Sequence, residues 1–354
     1  MNLGQDETRC RVPYLPRKPI PGEMRSIRAN TIRSNPRMAQ IQHERLRSDI
    51  PNHFYTIVNN SHLLVVWTSE YTAEYINYIA SVIMEVLKRN DLRINIVLQG
   101  SSKIDFRNAN TKTICITVNT EHSLIKKGKG FVYPITGTVS DGDGDYYYAR
   151  LDNIEKYNES YIVIDYSAPN IHNFVSSKQY EQLVSKFVHV SASLYTTNYF
   201  VKEGRDLDIV TTFLNCLLPR RDALIKNMKE RELPHTNING VYDKTALQDM
   251  YKRAKILVNI HQLKAHHTLE ELRVISALQC GVVVVCEYSP LLHLVPFQHL
   301  IVWSSYETIV DKIQHVYENY DEYHAKIFGG ENAAVLHTLH DRNVSALEKK
   351  ILEV

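Results

Sequence analysis

The sequence predicts an α/β protein made of two halves, each a mostly parallel sheet with helices on both faces. Three observations predict it. Short buried-strand runs alternate with stretches whose apolar residues recur at helical spacing, the rhythm of βαβ units. The rhythm breaks once, at the VKEGRD segment near Tyr199–Arg205, and then begins again. At 354 residues the chain exceeds the usual size of a single core, so two domains are expected.

The elements follow in order. The rhythm begins at Phe54, with a first strand near Leu63–Trp67. A helix over roughly 72–88 follows, with Ile76, Ile79, Ala80, Ile83, Val86 and Leu87 on one face. Strands are expected at Ile94–Leu98, Thr113–Val118, Tyr146–Leu151, Tyr161–Asp165 and Phe187–Val190, with a Gly/Asp-rich turn at Val139–Asp145. In the second half a strand at Leu207–Leu214 leads past Pro219 to a helix from Asp222 through Arg231. A short strand at Asn237–Val241 and a helix at Lys244–Arg253 come next. The stretch Ala254–Glu287 then reads as a buried strand (Ile256–Ile260), a His-rich loop, a helix opened by Thr268, and a second buried strand (Val282–Cys286). Gly281 stands where a helix C-terminal glycine belongs. A short strand near Leu300–Val302, a helix from Tyr306 to about Asn319, and a polar helical segment over 331–354 complete the chain. The expected division is 1–50 as a basic tail, 51–203 and 204–330 as the two α/β domains, and 331–354 as a terminal helix packing back on the first.

Composition narrows the class. Hydrophobic residues at 44% and charged residues at 23% describe an ordinary globular protein. No apolar run approaches the roughly 20 residues that cross a bilayer, and MNLGQDETRC has no apolar core for a secretory signal, so a cytoplasmic protein without a membrane span is expected. The five cysteines form no CxxC pair and most lie in apolar contexts, as buried free thiols do. The net charge of +2 hides an asymmetry: residues 1–50 hold nine Arg and one Lys against five acids, a balance of +5, and the remainder balances at −3. A Pro-rich segment of this kind reads as a tail draped over the domain or as a basic arm for nucleic acid or an anionic membrane.

The chemistry is expected in the loop after the strand Ile256–Ile260, because open α/β sheets hold ligands at the carboxyl ends of their strands, beside helix N-terminal amides. No GxGxxG follows the first strand, and neither GxxxxGK[ST] nor HExxH occurs, which speaks against nicotinamide, P-loop and zincin chemistry. His261, His266 and His267 in one loop lack the rigid four-ligand spacing of zinc. Asp141, Asp143 and Asp145 read as a solvated hairpin turn, since Tyr146 replaces the glycine of a calcium loop.

The runs TTFLNCLLPRRDALIKNMKE, VYDKTALQDMYKRAKILVNIH and LEELRVISALQCGVVVVCE resemble the donor-binding domain of GT-B glycosyltransferases of the group-1, spore-coat and capsule type. The likeness covers about residues 205–320, and TVNTEHS and VIDYSAPNI resemble cleft-facing strand ends of that family's acceptor domain. The resemblance implies two Rossmann-like domains facing across a cleft. It also implies a nucleotide-diphosphate sugar as donor, a glycan or other acceptor, and no required metal or further cofactor. Arg220, Arg221, Asn259, His261, Thr268, Glu270, Arg273 and Glu287 are the candidate donor-binding residues. The arginines suit a diphosphate whose charge grows as it leaves. His122, Asp165 and Glu271 are the candidate catalytic residues, the first two following buried strands where a general base or an acceptor-positioning group belongs. One departure stands out. The family's two glutamates eight positions apart fall here on Thr268 and Ser276, with Glu270 and Glu271 placed to take over hydroxyl contacts. Two other classes stay open: a non-catalytic GT-B-like sugar- or nucleotide-binding scaffold, and a nucleic-acid-associated protein acting through residues 1–50.

Overall fold

The computed structural model describes residues 52–67, 69, 71–100, 113–120, 124–126, 138–140, 146–149, 151, 154–177 and 180–353. The basic segment 1–50, His122, and the Asp141, Asp143 and Asp145 cluster lie outside the described residues.

The α/β expectation holds: two large sheets, each dominated by parallel pairing, share the chain. The first has the order β1-β2-β3-β4-β8-β9, with β1 (Asn52–Val58), β2 (Ser61–Trp67), β3 (Asn95–Gly100), β4 (Thr113–Asn119), β8 (Ile162–Asp165) and β9 (Phe187–His189). Only the β1–β2 pair is antiparallel. Its two-residue turn, Asn59–Asn60, has φ of 48° and 64°, the left-handed pair that matches strand twist and that asparagine tolerates. The sequence reading began the strands at β2 and missed the β1 partner.

Strand alternation explains how this sheet is covered. Ile162 and Ile164 of β8 enter the main core, and Val163 points to the opposite face, where Tyr157, Phe174, Tyr180 and Leu183 form a second cluster. That second cluster comes from three short helices, α2 (Ile154–Glu159), α3 (Ala168–Ser177) and α4 (Glu181–Val184). The main core is covered by α1 (Ala73–Arg89), whose Ile76, Ile79, Ala80, Ile83, Val86 and Leu87 are all buried. The expected strand at Tyr146–Leu151 does not join this sheet. It forms β7 (Tyr146–Ala149), the centre of a separate antiparallel sheet with β5 (Leu124–Lys126) and β6 (Thr138–Ser140).

The second sheet has the order β11-β10-β12-β13-β14 and is parallel throughout. Its strands are β10 (Leu207–Thr211), β11 (His235–Asn237), β12 (Ala254–Asn259), β13 (Val283–Glu287) and β14 (Ile301–Ser304). The order reverses between β10 and β12, which opens a crevice at their carboxyl ends. Two helices start at that crevice. α5 (Pro219–Glu230) opens with proline at a position where a missing N–H costs nothing, three residues before the expected start. α7 (Glu271–Gln279) starts three residues after Thr268. Between them lies α6 (Lys244–Arg253), capped by the Asp243 carboxylate, which accepts from the Thr245 and Ala246 amides. α8 (Ile309–Glu318) and α9 (Tyr320–Phe328) follow β14.

The last helix, α10 (Ala334–Leu352), lies against α1 of the first sheet. The Asn343 amide accepts from the Ser191 N–H, donates to the Ser191 carbonyl, and donates again to the Tyr78 hydroxyl. His340 bridges the Tyr78 hydroxyl and Glu85. Among the described residues no helix is long and apolar enough to cross a membrane.

Candidate functional site

Two sets of side chains meet where the carboxyl ends of the sheets face each other. On the second sheet, Glu287 ends β13 and pairs with Arg220 from the first turn of α5. Its other oxygen accepts from the His261 main-chain N–H at 2.9 Å. The Arg220 guanidinium lies 4.1 Å from the Tyr306 ring centroid, and the Tyr306 hydroxyl donates to the Arg220 carbonyl. His261 Nε2 donates to the Tyr288 carbonyl at 2.9 Å, which leaves the ring's other nitrogen as the acceptor when the ring is neutral. Arg273 donates to the Asn259 side-chain carbonyl at 2.8 Å and stands 3.8 Å from Glu270.

Arg221 differs from its neighbours. It is 4% exposed and forms no ion pair or hydrogen bond among the described residues, and its Nε is buried without a partner. Its guanidinium stacks 4.6 Å from the Phe213 ring centroid. Burial and then the positive charge of Arg273 lower its pKa, with Glu270 opposing. A guanidinium held among apolar contacts beside a second guanidinium favours an anion between them. The free amides of the α5 N-terminus add to the same potential.

On the first sheet, Asp165 ends β8 and is fully buried. It accepts from the Ser167 N–H at 2.8 Å, from Asn119 Nδ2 at 2.7 Å and from Asn170 Nδ2 at 3.3 Å. Burial nevertheless raises its pKa to about 7, against the pull of those donors. Glu271, at the start of α7, is 1% exposed, and its Oε2 has no hydrogen-bond partner among the described residues. Burial first, and the nearby Asp165 charge second, hold its pKa well above the usual carboxylate range.

Thr268 joins the two sets. Its hydroxyl donates to Asn170 Oδ1 at 2.8 Å and accepts from the Leu124 N–H at 3.0 Å. Beside it the His267 N–H donates to the Leu124 carbonyl, and His266 bridges to Ile125. The loop after β12 is thereby sewn to β5, and Thr268 serves the contact between the two halves rather than the cap of α7.

The structure therefore gathers Arg220, Arg221, Asn259, His261, Glu270, Arg273 and Glu287 at one edge, with Thr268, Glu271 and Asp165 at the junction. Sequence reasoning missed Asn119, Asn170 and Tyr306. The first two stood inside TVNTEHS and VIDYSAPNI, and their amides were the available signal. Ser276, where the resemblance implies a glutamate, turns away from the crevice. Ser276 is fully buried and its hydroxyl donates back to the Leu272 carbonyl at 2.9 Å, so that position offers nothing to the crevice. No group of three His, Cys, Asp or Glu among the described residues could hold a metal ion.

No protein-family model matches the chain. A curated relative, an uncharacterized protein of Acanthamoeba polyphaga mimivirus, is 24% identical over 194 residues, 53% of this chain. The chain spans 65% of that relative's length. Among solved structures, accessory secretory protein 1, 2 and 3 of Streptococcus pneumoniae is similar with a TM-score of 0.42 at 11% identity, over 78% of this chain and 57% of that one. A trehalose-6-phosphate structure from E. coli bound with UDP-2-fluoro glucose is similar with a TM-score of 0.39 at 8% identity, over 85% and 90% of the two chains. At TM-scores below 0.5 neither likeness defines the family of this chain.

Proposed function

We propose that the chain is a glycosyltransferase that moves a sugar from a nucleotide-diphosphate sugar to a glycan or other acceptor. The observation that carries this reading is Arg221, a buried guanidinium with no carboxylate of its own, set at a helix N-terminus in the crevice between β10 and β12. The resemblance of residues 205–320 to GT-B donor domains points to the same place.

In this reading the diphosphate lies against Arg221, Arg273 and the α5 N-terminus. As the bond from the anomeric carbon to the diphosphate oxygen breaks, negative charge grows on that oxygen, and the two guanidiniums stabilise it more than they stabilise the ground state. The acceptor hydroxyl oxygen forms the new bond to the anomeric carbon, and its proton passes to the departing diphosphate, whose oxygen gains the electron pair of the broken bond. Arg220 is already neutralised by Glu287, so it positions the loops rather than gripping phosphate. Asp165, with three donors and no exposure, organises Asn119 and Asn170. Burial, and then the Asp165 charge, favour the protonated form of Glu271, which suits it to donating a hydrogen bond rather than taking a proton.

A second reading, a nucleotide- or sugar-binding scaffold without turnover, is favoured by Ser276, whose inward hydroxyl leaves no carboxylate where the family carries one. A thermal-shift panel of UDP-, GDP-, ADP-, CMP- and dTDP-sugars tests both. Stabilisation by one nucleotide is expected, with Arg221→Ala weakening that binding by about tenfold or more in calorimetry. Release of nucleoside diphosphate separates the transferase from the scaffold. Silence across the whole panel rejects both. Binding of nucleic acid by residues 1–50 is a separate proposal, marked by affinity that falls steeply with salt and is lost when the segment is deleted.

A further inference from the structure

Away from this crevice, a groove with a cavity of about 460 Å³ runs between the β9 edge of the first sheet and α10, closed at one side by Pro296. One stripe of α10 lines it: Leu339, Arg342, Asn343, Ala346, Lys349 and Lys350, ending at Glu353. That stripe extends roughly 20 Å along the helix.

The facing wall is an open strand edge. Val163 N–H donates to the Lys186 carbonyl and Val190 N–H to the Asp165 carbonyl, so positions 186, 188 and 190 turn toward β8. Positions 187, 189 and 191 therefore turn outward. At Ser191 the Asn343 amide takes both main-chain groups, as a neighbouring strand would. The main-chain groups of Phe187 and His189, next along the same edge, have no partner among the described residues. An unpaired edge of this kind templates an added strand.

Charge decides what the strand carries. Lys350 pairs with Glu353, the one carboxylate among the described residues that line the groove. Arg342 and Lys349 are exposed and unpaired among the described residues. The chain's own N-terminal segment, with a balance of +5 over residues 1–50, has the wrong sign. We propose that this groove binds an extended acidic peptide of about six residues, which adds a strand to β9 and places its carboxylates against Arg342 and Lys349. The site is independent of the sugar-transfer reading.

The test is fluorescence anisotropy of full-length protein with labelled acetyl-Glu-Val-Glu-Val-Glu-Val-amide. The expected result is saturable binding, weakened about tenfold or more by the Arg342→Glu/Lys349→Glu pair and to a similar extent by N-methylation of alternate peptide bonds. Hydrogen exchange should slow at the Phe187 and His189 amides when the peptide is bound. If the charge-reversed pair fails to fold, the N-methylated peptide on the unaltered protein decides alone. Absence of saturable binding would overturn the proposal. Equal affinity for the N-methylated peptide, or displacement by citrate at matched ionic strength, would also overturn it, because charge without strand pairing would then explain the site.

Discussion

Asp165, at the end of β8, and Glu271, at the start of α7, come from different halves and bring two buried carboxyl groups to one junction. Asp165 carries three donors and Glu271 carries an oxygen with none among the described residues. Both favour the protonated form in the folded protein, Asp165 with a pKa of about 7 against an ordinary 3.8. The sign follows from linkage: a raised folded-state pKa contributes stability that is complete below the unfolded value and is lost as pH rises through the folded value. The melting temperature is therefore expected to fall between about pH 4 and pH 7 through Asp165, and further through Glu271. Asp165→Asn and Glu271→Gln should each flatten that decline, and the double variant should flatten it most. A melting temperature equally pH-dependent in all four proteins would show that these carboxyls are not the titrating pair. Neither effect was visible in the sequence, where Asp165 was the end of YIVID and Glu271 one of two adjacent acids.

At the scale of the element, the α7–β13 joint shows how much a local pattern can specify. Gly281 has φ of 71°, and a Cβ there would stand 2.7 Å from both the Tyr199 carbonyl and Arg205 Nη2. Arg205 is itself 6% exposed and donates to the carbonyls of Val201, Tyr251, Ala254 and Cys280, tying the start of the second half to α6, β12 and α7. Gly281→Ala is expected to cost about 1–2 kcal/mol from the left-handed backbone alone, and more from the overlap. Denaturant unfolding would register this as a lower midpoint, and an unchanged midpoint would mean that the joint relaxes freely. The helix-end glycine was legible from its place after ISALQC. Arg205 was not, because four carbonyl partners scattered over the fold leave no pattern around it.

At the scale of the molecule, a continuous apolar core and several polar contacts join the two halves among the described residues, among them Gln279 Nε2, which donates to Ser193 Oγ and to the Tyr195 carbonyl. Thr268 contacts Asn170 and Leu124, and the His267 N–H contacts the Leu124 carbonyl. Far from this junction, α10 returns to α1 and caps Ser191 through Asn343. Thr268→Val removes the hydroxyl but keeps the shape, so faster amide exchange is expected at Leu124 and His267 with both sheet interiors unchanged. Unchanged exchange at those two amides would place the hold elsewhere.

Burial periodicity is a local property, so the sequence by itself determined the α/β class, the α1 face, and the strand–loop–helix–strand of 254–287. It also pointed to the loop after β12 as the place for polar side chains, because a buried parallel strand delivers its ligands at the carboxyl end. Two helix starts drifted by three residues in opposite directions: Pro219, expected in the loop, is the first residue of α5, and Thr268, expected to open α7, bonds instead to Asn170 and Leu124. Partner choice needed the sheet order. Only the tertiary structure paired Arg220 with Glu287 while leaving Arg221 buried and unpaired, moved β7 into a sheet of its own, and spent Thr268 on the junction between the halves. Those decisions turn on which distant strand ends become neighbours, and long-range pairing leaves no period along the chain.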